Sequence, residues 1–465
     1  MGGGEEVFLV VMSVADPAEF HQKDNCPYNY HSRITETYLH SFDMREVVTL
    51  QFGAASSRLA ENLWQSALRE NQDGRVEEDQ REELDAMLVY KRRGCHPRAV
   101  AFGCKGDFNK TSSAQNRSSE CNLWEGNVQI VAQDSDDTMR TTSVLSPRSM
   151  IEVDEFRSFD PLNNYYEGLL GSDGKIRRET VENACDAVRI ALEECDRMQG
   201  IQCIVDIDSA WGGFASEVMR YVEEECPSTF TCCFGLDERY PLKSQTGIFD
   251  KSKQDGRRAI NLVSSVLSLN EQCSMFIPFS PKSPADGAIA WDCMSSVYRW
   301  SGEKTFRDMS FHSSMKVMEL SCISLPSDDF FYKSPVDRIG LWDRNSHFPT
   351  FHAPQDHERK FHFQFLTRRG NFNHELPPHA CDPFQYWSSG TVSKSLYSPD
   401  ELLRIDQAIA SLSITDSVAQ YLKMLATKVV EVDRRVVHEY TQSGMSFDAT
   451  RNMHSELLDL SEAIM

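Results

Sequence analysis

Residues 201–227 restrict the possible folds of this chain more than any other segment, and they read IQCIVDIDSAWGGFASEVMRYVEEECP. An apolar run with few polar positions predicts a buried strand. A short turn and a helix over 213–226 follow, and Pro227 stops the helix. A further strand is expected at 230–235, so the order strand–helix–strand predicts a parallel α/β sheet. Such turns hold phosphate in many nucleotide-binding proteins, against the positive end of the helix.

The remaining chain contains further strands and helices with less specific patterns. Strands are expected at 47–52 and 98–103, and the first is followed by a small-residue turn, GAASS, and a helix from Arg58. The acidic stretch 71–85 and most of 105–148 are interpreted as solvated loops. The expected helices are 177–200 with Gly200 as its C-terminal cap, 259–270, 288–300, one that starts at the Ser-Pro-Asp-Glu of 398–401, and two long helices at about 415–440 and 447–463.

Composition excludes several classes of function. The formal net charge is −22, which disfavours nucleic acid and anionic lipid as partners. The 14 cysteines include no Cys-x-x-Cys pair, which is typical of reduced intracellular proteins, and the adjacent Cys232 and Cys233 are expected in the core. No stretch approaches the roughly 18 apolar residues of a membrane span.

Several segments then resemble a known family. MREVVTLQFG at 44–53 resembles the start of the tubulin superfamily, and residues 436–464 are similar to its two C-terminal helices. Four segments between these ends resemble the Misato family in the right order: HPRAVAFGCKGDFN, LSPRSM, EECDRMQGIQCIVD and WGGFASEVMRYVEEECP. The resemblance covers about 44–464 and implies a divergent branch of the tubulin/FtsZ superfamily. It implies an α/β fold with a Rossmann-like parallel-sheet half, a central helix near 286–300, a smaller α/β region and a C-terminal helical hairpin.

The resemblance also implies a division of the chain into five parts. Residues 1–43 have no counterpart and are interpreted as an extension upstream of the true start, with a targeting arm as the alternative. The other parts are 44–165, the N-terminal tubulin-like segment; 166–300, the Rossmann half with the phosphate turn and central helix; 301–395, the intermediate α/β region; and 396–465, the helical hairpin.

The phosphate turn departs from the pattern of the family it resembles. Tubulin carries Gly-Gly-Gly-Thr-Gly-Ser-Gly there, where glycines let backbone amides approach the phosphates. The matching positions are Ile207, Asp208, Ser209, Ala210, Trp211, Gly212 and Gly213. Only Gly213 keeps its glycine, while Asp208 is expected to bring negative charge, and Trp211 bulk, to the place of a phosphate. Both changes argue against GTP.

Two further loops of the resemblance have changed as well. The first phosphate loop, Gln-x-Gly-x-Cys-Gly-Asn in tubulin, here spans 51–57 and keeps only Gln51 and Gly53 of its recognisable residues. The catalytic loop matches 305–320, where Ser310 replaces the expected Asn and the next carboxylate is Glu319. The resemblance therefore predicts no bound GTP and no hydrolysis, that is, a pseudo-GTPase without a cofactor.

Other candidate sites give weaker signals. Six histidines fall between 347 and 379, but their spacing fits no zinc motif, so no metal is expected. No serine or cysteine shows a nucleophile motif, so no catalytic residue is expected. Near the C-terminus, Lys428, Arg434 and Arg435 form a basic-leaning patch on a helix face. This patch is either a surface for an acidic partner, such as a tubulin tail, or a plain solvated face.

The resemblance implies a non-enzymatic role in mitochondrial distribution, morphology and inheritance. It implies contact with tubulin, or with the cytosolic chaperonin and prefoldin that serve tubulin folding, and so with microtubule organisation. Localisation is expected in the cytoplasm and at the outer surface of the mitochondrion, through peripheral contact. The alternatives are a divergent tubulin-like GTPase that binds GTP in a modified pocket and an adaptor on the outer mitochondrial membrane.

Overall fold

The main element of the fold is a six-stranded parallel sheet with the order β5-β4-β1-β6-β7-β8. Its strands are β1 (Glu46–Phe52), β4 (Ala99–Lys105), β5 (Met150–Arg157), β6 (Met198–Asp206), β7 (Phe230–Leu236) and β8 (Met275–Phe279). A small antiparallel hairpin, β2 (Leu88–Lys91) and β3 (Gly94–Pro97), precedes β4. Every residue of β1, β7 and β8 is buried, as expected for strands covered on both faces.

This computed structural model describes part of the chain. The described residues are 46–73, 85–91, 94–105, 144–157, 164–170, 176–237, 248–281, 283–299, 307, 315–325, 361–370, 385–388, 396–397, 404–405 and 407–464. Ser310, most of the 105–148 segment, the Ser-Pro-Asp-Glu of 398–401 and all but one of the six clustered histidines lie outside them, as do residues 1–43.

Helices connect the strands of the parallel sheet. They are α1 (Ala54–Asp73), α2 (Arg178–Glu193), α3 (Ala210–Glu225), α4 (Ile248–Gln272) and α5 (Pro284–Arg299). The chain leaves β1 toward β4 on one side and leaves β6 toward β7 on the other. Because such crossovers are right-handed, α1 and α3 cover opposite faces of the sheet. The sheet edge between β1 and β6 is therefore the point where the strand order reverses, the usual ligand crevice of such folds.

A second sheet lies on the far side of α5. It has four strands in the order β11-β10-β14-β9: β9 (Glu319–Leu325), β10 (Phe361–Gly370), β11 (Gln385–Ser388) and β14 (Gln407–Thr415). A separate two-stranded ladder pairs β12 (Leu396–Tyr397) with β13 (Arg404–Ile405). Helix α5 contacts both sheets, since Trp291 donates to Gln202 of β6 and Thr367 of β10 donates to the carbonyl of Cys293. The predicted central helix is present, and the described residues of the expected smaller α/β region form the strands β9, β10 and β11.

The C-terminal region contains three helices, α6 (Asp416–Val430), α7 (Arg434–Gln442) and α8 (Ala449–Ile464). The predicted single helix over 415–440 is wrong, because Asp433 caps a new helix by accepting a hydrogen bond from the Arg435 amide at 2.8 Å. The predicted helical region from 396 is also wrong in its first part. Strand β14 shows apolar residues at alternate positions, the period of a strand, from Ala408 to Ile414.

Three smaller expectations also need correction. Gly200 does not cap α2, which ends at Glu193; it lies inside β6 and pairs with Val47. The small-residue segment after β1 is the first turn of α1, not a separate turn. Asp85, at the end of the stretch predicted to be solvated, is fully buried and pairs with Arg299. In the described part of the chain, no helix combines the length and apolar character that a membrane crossing requires.

Candidate functional site

The first predicted phosphate loop lies at the junction of β1 and α1. Gly53 has φ +106°, a left-handed conformation that favours glycine, and it turns the chain from strand to helix. The amides of Ala55 and Ser56 then point out of the free N-terminus of α1, as they do where a helix holds an anion. The loop therefore lies at the edge of the parallel sheet, where β1 ends and α1 begins.

The anion that occupies these amides is a carboxylate of the chain itself. Asp206, the last residue of β6, accepts hydrogen bonds from the Ala55 amide at 3.1 Å and from the Ser56 amide at 2.8 Å. The hydroxyl of Ser56 donates to the same carboxylate. A Cβ added to Gly53 would lie 2.2 Å from Oδ2 of Asp206, so glycine is also the residue that admits this side chain.

Asp206 is buried, and the groups around it shift the pKa of its carboxyl in opposite directions. Burial raises the pKa of the Asp206 carboxyl above its usual value, while the hydrogen bonds from Ser56 and Ala55 and the charge of Arg58 oppose that rise. No sequence motif singles out Asp206. The available sequence signal is its place at the carboxyl end of a predicted buried strand.

Asp208, which was expected to bring the negative charge, lies elsewhere. Its carboxylate is 3.8 Å from the guanidinium of Arg258 on α4, which also pairs with Asp237 at the end of β7. Its carbonyl oxygen accepts a hydrogen bond from Asn261 at 3.0 Å. The hydrogen-bonded carboxylate at the first phosphate loop is thus Asp206, whereas Asp208 of the second turn contacts Arg258 and Asn261 of α4.

Ser209 caps helix α3. Its hydroxyl donates to the carbonyl oxygen of Asp206 at 3.0 Å and accepts from the Trp211 amide at 3.3 Å. Trp211 is buried and packs edge-on against Phe156 of β5, with ring centroids 4.9 Å apart. Its bulk therefore fills the core behind the turn.

The two remaining glycines of the turn allow close packing of helices. A Cβ on Gly212 would lie 2.0 Å from the hydroxyl of Ser265 on α4. A Cβ on Gly213 would lie 2.1 Å from the carbonyl oxygen of Tyr165, in a short 3-10 turn over Tyr165–Gly168. Both glycines are needed for these contacts whether or not a phosphate ever binds.

Gln51, the other retained residue of the first loop, is buried in β1. Its side-chain nitrogen forms no hydrogen bond with any residue that the structure describes. The structure does not describe Ser310 of the predicted catalytic loop, and Glu319 is the buried first residue of β9.

The predicted partner surface lies where α6 ends and α7 begins. Lys428, Arg434 and Arg435 are all exposed. Glu431 and Asp433 are exposed between them, so the surface has mixed charge. Apolar residues of the same two helices are buried at Leu422, Leu425, Val429 and Val436, and Val432 is half-buried. Lys428 also borders a cavity of about 620 Å³ between α4 and α6.

Comparison with known proteins agrees with this architecture. The family described as a tubulin domain, Tubulin_3, matches residues 138–325. Protein dml-1 of Neurospora crassa is 24% identical over 294 residues, which cover 54% of this chain and 53% of that protein. Protein misato of Drosophila melanogaster is 32% identical over 99 residues, 21% of this chain and 17% of that protein. Protein dml1 of Schizosaccharomyces pombe is 33% identical over 101 residues, 22% and 21% of the two chains.

The parallel sheet, the central helix α5 and the family match define a tubulin-like protein. The chain spans about half the length of the first curated relatives that it matches. Within the tubulin superfamily, its sequence is similar to curated proteins named DML1 and misato, and these matches support the Misato/DML1 family.

Proposed function

We propose that this chain is a tubulin-like protein without nucleotide chemistry, which acts in mitochondrial distribution, morphology and inheritance through contacts with other proteins. The single observation that carries the first half of this proposal is the carboxylate of Asp206 at the N-terminus of α1. The second half rests on the similarity to the Misato/DML1 family.

A phosphate group at this site would have to displace or lie beside Asp206. Two like unit charges about 4 Å apart repel by about 4 kcal/mol at an effective dielectric constant near 20. That energy corresponds to about three orders of magnitude in affinity. Displacing the carboxylate instead breaks hydrogen bonds to a charged group, each worth about 1.5–3 kcal/mol. Either route makes micromolar binding of GTP unfavourable.

The second phosphate turn supports the same proposal. Trp211 and the two glycines after it are used for packing against β5, α4 and the Tyr165–Gly168 turn. Ser209 caps α3 from inside the chain. Both helix N-termini at the sheet edge are therefore satisfied by residues of the protein itself.

The test is calorimetric titration of the purified full chain with GTP and GDP, combined with analysis of nucleotide released on denaturation. We expect no saturable heat at micromolar concentrations and no copurified guanine nucleotide. Stoichiometric guanine nucleotide in the purified protein would overturn the proposal.

A divergent GTPase is the second candidate, and one observation favours it. The buried side-chain nitrogen of Gln51 has no hydrogen-bond partner among the described residues, and Gln51 and Gly53 are the two retained residues of the first loop. A nucleotide is one group that could accept from Gln51. The same titration separates the two candidates, with Gln51→Leu as the variant that should abolish binding if GTP is held there.

We propose tubulin, or the chaperonin and prefoldin that serve tubulin folding, as partners, with localisation in the cytoplasm and at the outer surface of the mitochondrion. An adaptor on the outer mitochondrial membrane is the variant of this role that keeps the protein bound to mitochondria. Fractionation before and after alkaline carbonate washing tests it, since peripheral attachment predicts release into the supernatant.

A further inference from the structure

Three cysteines meet inside the core on the side of the sheet that faces the end of α4. Cys203 of β6 and Cys233 of β7 are register partners on adjacent parallel strands, so their side chains point to the same face. Cys273 follows α4 directly and precedes β8. The three sulfur atoms all lie within 4.8 Å of one another. We call these residues the three-cysteine cluster.

The cluster is closed to solvent and held by hydrogen bonds next to it. Cys203 and Cys233 are 0% exposed and Cys273 is 1% exposed. The Ser274 amide donates a hydrogen bond to the Thr231 hydroxyl at 2.9 Å. The Cys273 amide donates one to the carbonyl oxygen of Leu269, also at 2.9 Å. Together these two hydrogen bonds fix the segment that carries Cys273. The neighbouring Cys232 lies on the other face of β7. Among the described residues, the group therefore contains three sulfur donors and no fourth cysteine.

We propose that Cys203, Cys233 and Cys273 bind one monovalent copper ion through their three sulfur atoms. Thiolates are soft ligands that select monovalent copper and zinc. Structural zinc sites almost always have four ligands. Among the described residues, no histidine, carboxylate or further cysteine joins the group. Three sulfur donors in a site closed to solvent therefore favour copper over zinc.

The geometry needs only a small adjustment. With metal–sulfur bonds of about 2.3 Å, three sulfur atoms around an ion in their plane are about 4.0 Å apart. The cluster then contracts by at most about 0.8 Å per sulfur pair from its 4.8 Å limit. Thiol protons are released to solvent as the sulfurs bind. The ion would join β6, β7 and the start of β8, so its binding should stabilise the fold.

The experiment uses the full chain, purified without oxygen and with a thiol-free reductant, and titrated with monovalent copper in competition with a chromogenic chelator. We expect about one bound copper ion per chain, an ultraviolet thiolate-to-copper absorption band, and a higher melting temperature. X-ray absorption of the loaded protein should show sulfur atoms alone around copper. Absence of copper uptake by the unmodified protein overturns the proposal without any variant.

Variants assign the site. Cys203→Ala and Cys233→Ala should lose the bound copper and its stabilising effect, while Cys232→Ala, a matched buried cysteine on the same strand, should keep both. Circular dichroism checks that each variant folds. Equal copper binding by Cys203→Ala, Cys233→Ala and the unmodified chain would place the ion elsewhere. Retention of one zinc ion that copper does not displace would overturn the choice of metal.

Discussion

At the scale of single residues, one side chain decides the chemistry of the sheet edge. Asp206 connects the end of β6 to the first turn of α1, across 150 residues of sequence, and uses the donors that a phosphate would need. Asp208, only two residues later, forms its ion pair with Arg258 on α4 instead. Two aspartates of similar appearance in the sequence therefore have different roles, because Asp206 ends β6 while Asp208 lies in the turn that leads to α3.

The first prediction concerns Asp206→Ala. The change leaves the Ala55 and Ser56 amides without their carboxylate acceptor, while the Ser56 hydroxyl keeps the carbonyl oxygen of Phe52. We therefore expect the free energy of unfolding to fall by about 2 kcal/mol. The measurement is chemical denaturation monitored by circular dichroism. Asp208→Ala is the control, and its partly exposed ion pair should change stability by less than about 1 kcal/mol.

The same variant should also gain an anion site. Inorganic phosphate should raise the melting temperature of Asp206→Ala more than that of the unmodified protein, because the α1 amides are then open. Equal stabilisation of both proteins by phosphate would show that Asp206 does not compete for these amides.

At the scale of helices and strands, the glycines of α3 fix how closely its neighbours approach. Gly212 faces a side chain, Ser265, which can rotate away. Gly213 faces the backbone carbonyl of Tyr165, which cannot move without shifting the 3-10 turn. The segment looks like a modified phosphate turn in sequence, but its glycines are already explained by packing.

The second prediction follows from this difference. Gly213→Ala should destabilise the protein by about 3 kcal/mol and Gly212→Ala by about 1–2 kcal/mol, the usual range for overpacking. Thermal and chemical unfolding of the two variants show which of them loses more stability. Glycines kept only for a ligand would give two variants as stable as the unmodified chain, and that result would contradict the packing role.

At the scale of the whole molecule, α5 holds the two sheets together through polar as well as apolar contacts. Trp291 packs against Trp64 of α1, with ring centroids 5.9 Å apart. At the end of α5, Arg299 is fully buried and pairs with Asp85 and Asp292. Breaking a buried pair is costly because it leaves an uncompensated charge in the interior.

The third prediction is therefore that Arg299→Ala destabilises the protein by about 3–5 kcal/mol. Arg189→Ala is the control, since Arg189 forms an exposed pair with Glu193 at 2.6 Å and should change stability by about 0.5 kcal/mol or less. Denaturant unfolding compares both variants. Similar losses for the two arginines would mean that Asp85 and Asp292 are not held by Arg299.

The fourth prediction concerns the surface of Lys428, Arg434 and Arg435. Their joint change to Glu should leave the fold intact, since exposed substitutions usually cost within about 0.5 kcal/mol each. Binding of a tubulin-tail peptide should weaken at low salt and become insensitive to salt. Surface plasmon resonance with immobilised peptide measures the affinity at each salt concentration.

The control is a second triple variant, in which the exposed Lys105, Arg178 and Arg189 are changed to Glu, so that the net charge of the protein changes by the same amount. Equal loss of binding in both triple variants would assign the effect to net charge alone.

The sequence by itself determined the local elements and, through its motifs, the family. The strands at 47–52, 98–103 and 230–235, the helix predicted over 213–226 and the central helix follow from apolar runs, periodicity and caps, which depend on neighbours within one or two turns. The helix begins three residues earlier than predicted, at Ala210. The superfamily follows from the resemblance of short segments, taken in order, at the two ends and the middle of the chain.

Only the tertiary structure decided what occupies the sheet edge and the core. Asp206 meets α1 because β1 and β6 are neighbours in the sheet, although two helices, α1 and α2, and the four strands β2 to β5 separate them in sequence. Cys203, Cys233 and Cys273 converge for the same reason, without any motif spacing. Strand β14 lies in a region that was predicted to be helical. Its alternating apolar residues belong to a strand that pairs with β9 and β10, and this pairing is not visible in the local sequence. Contacts of this kind depend on strand order, which local sequence patterns do not encode.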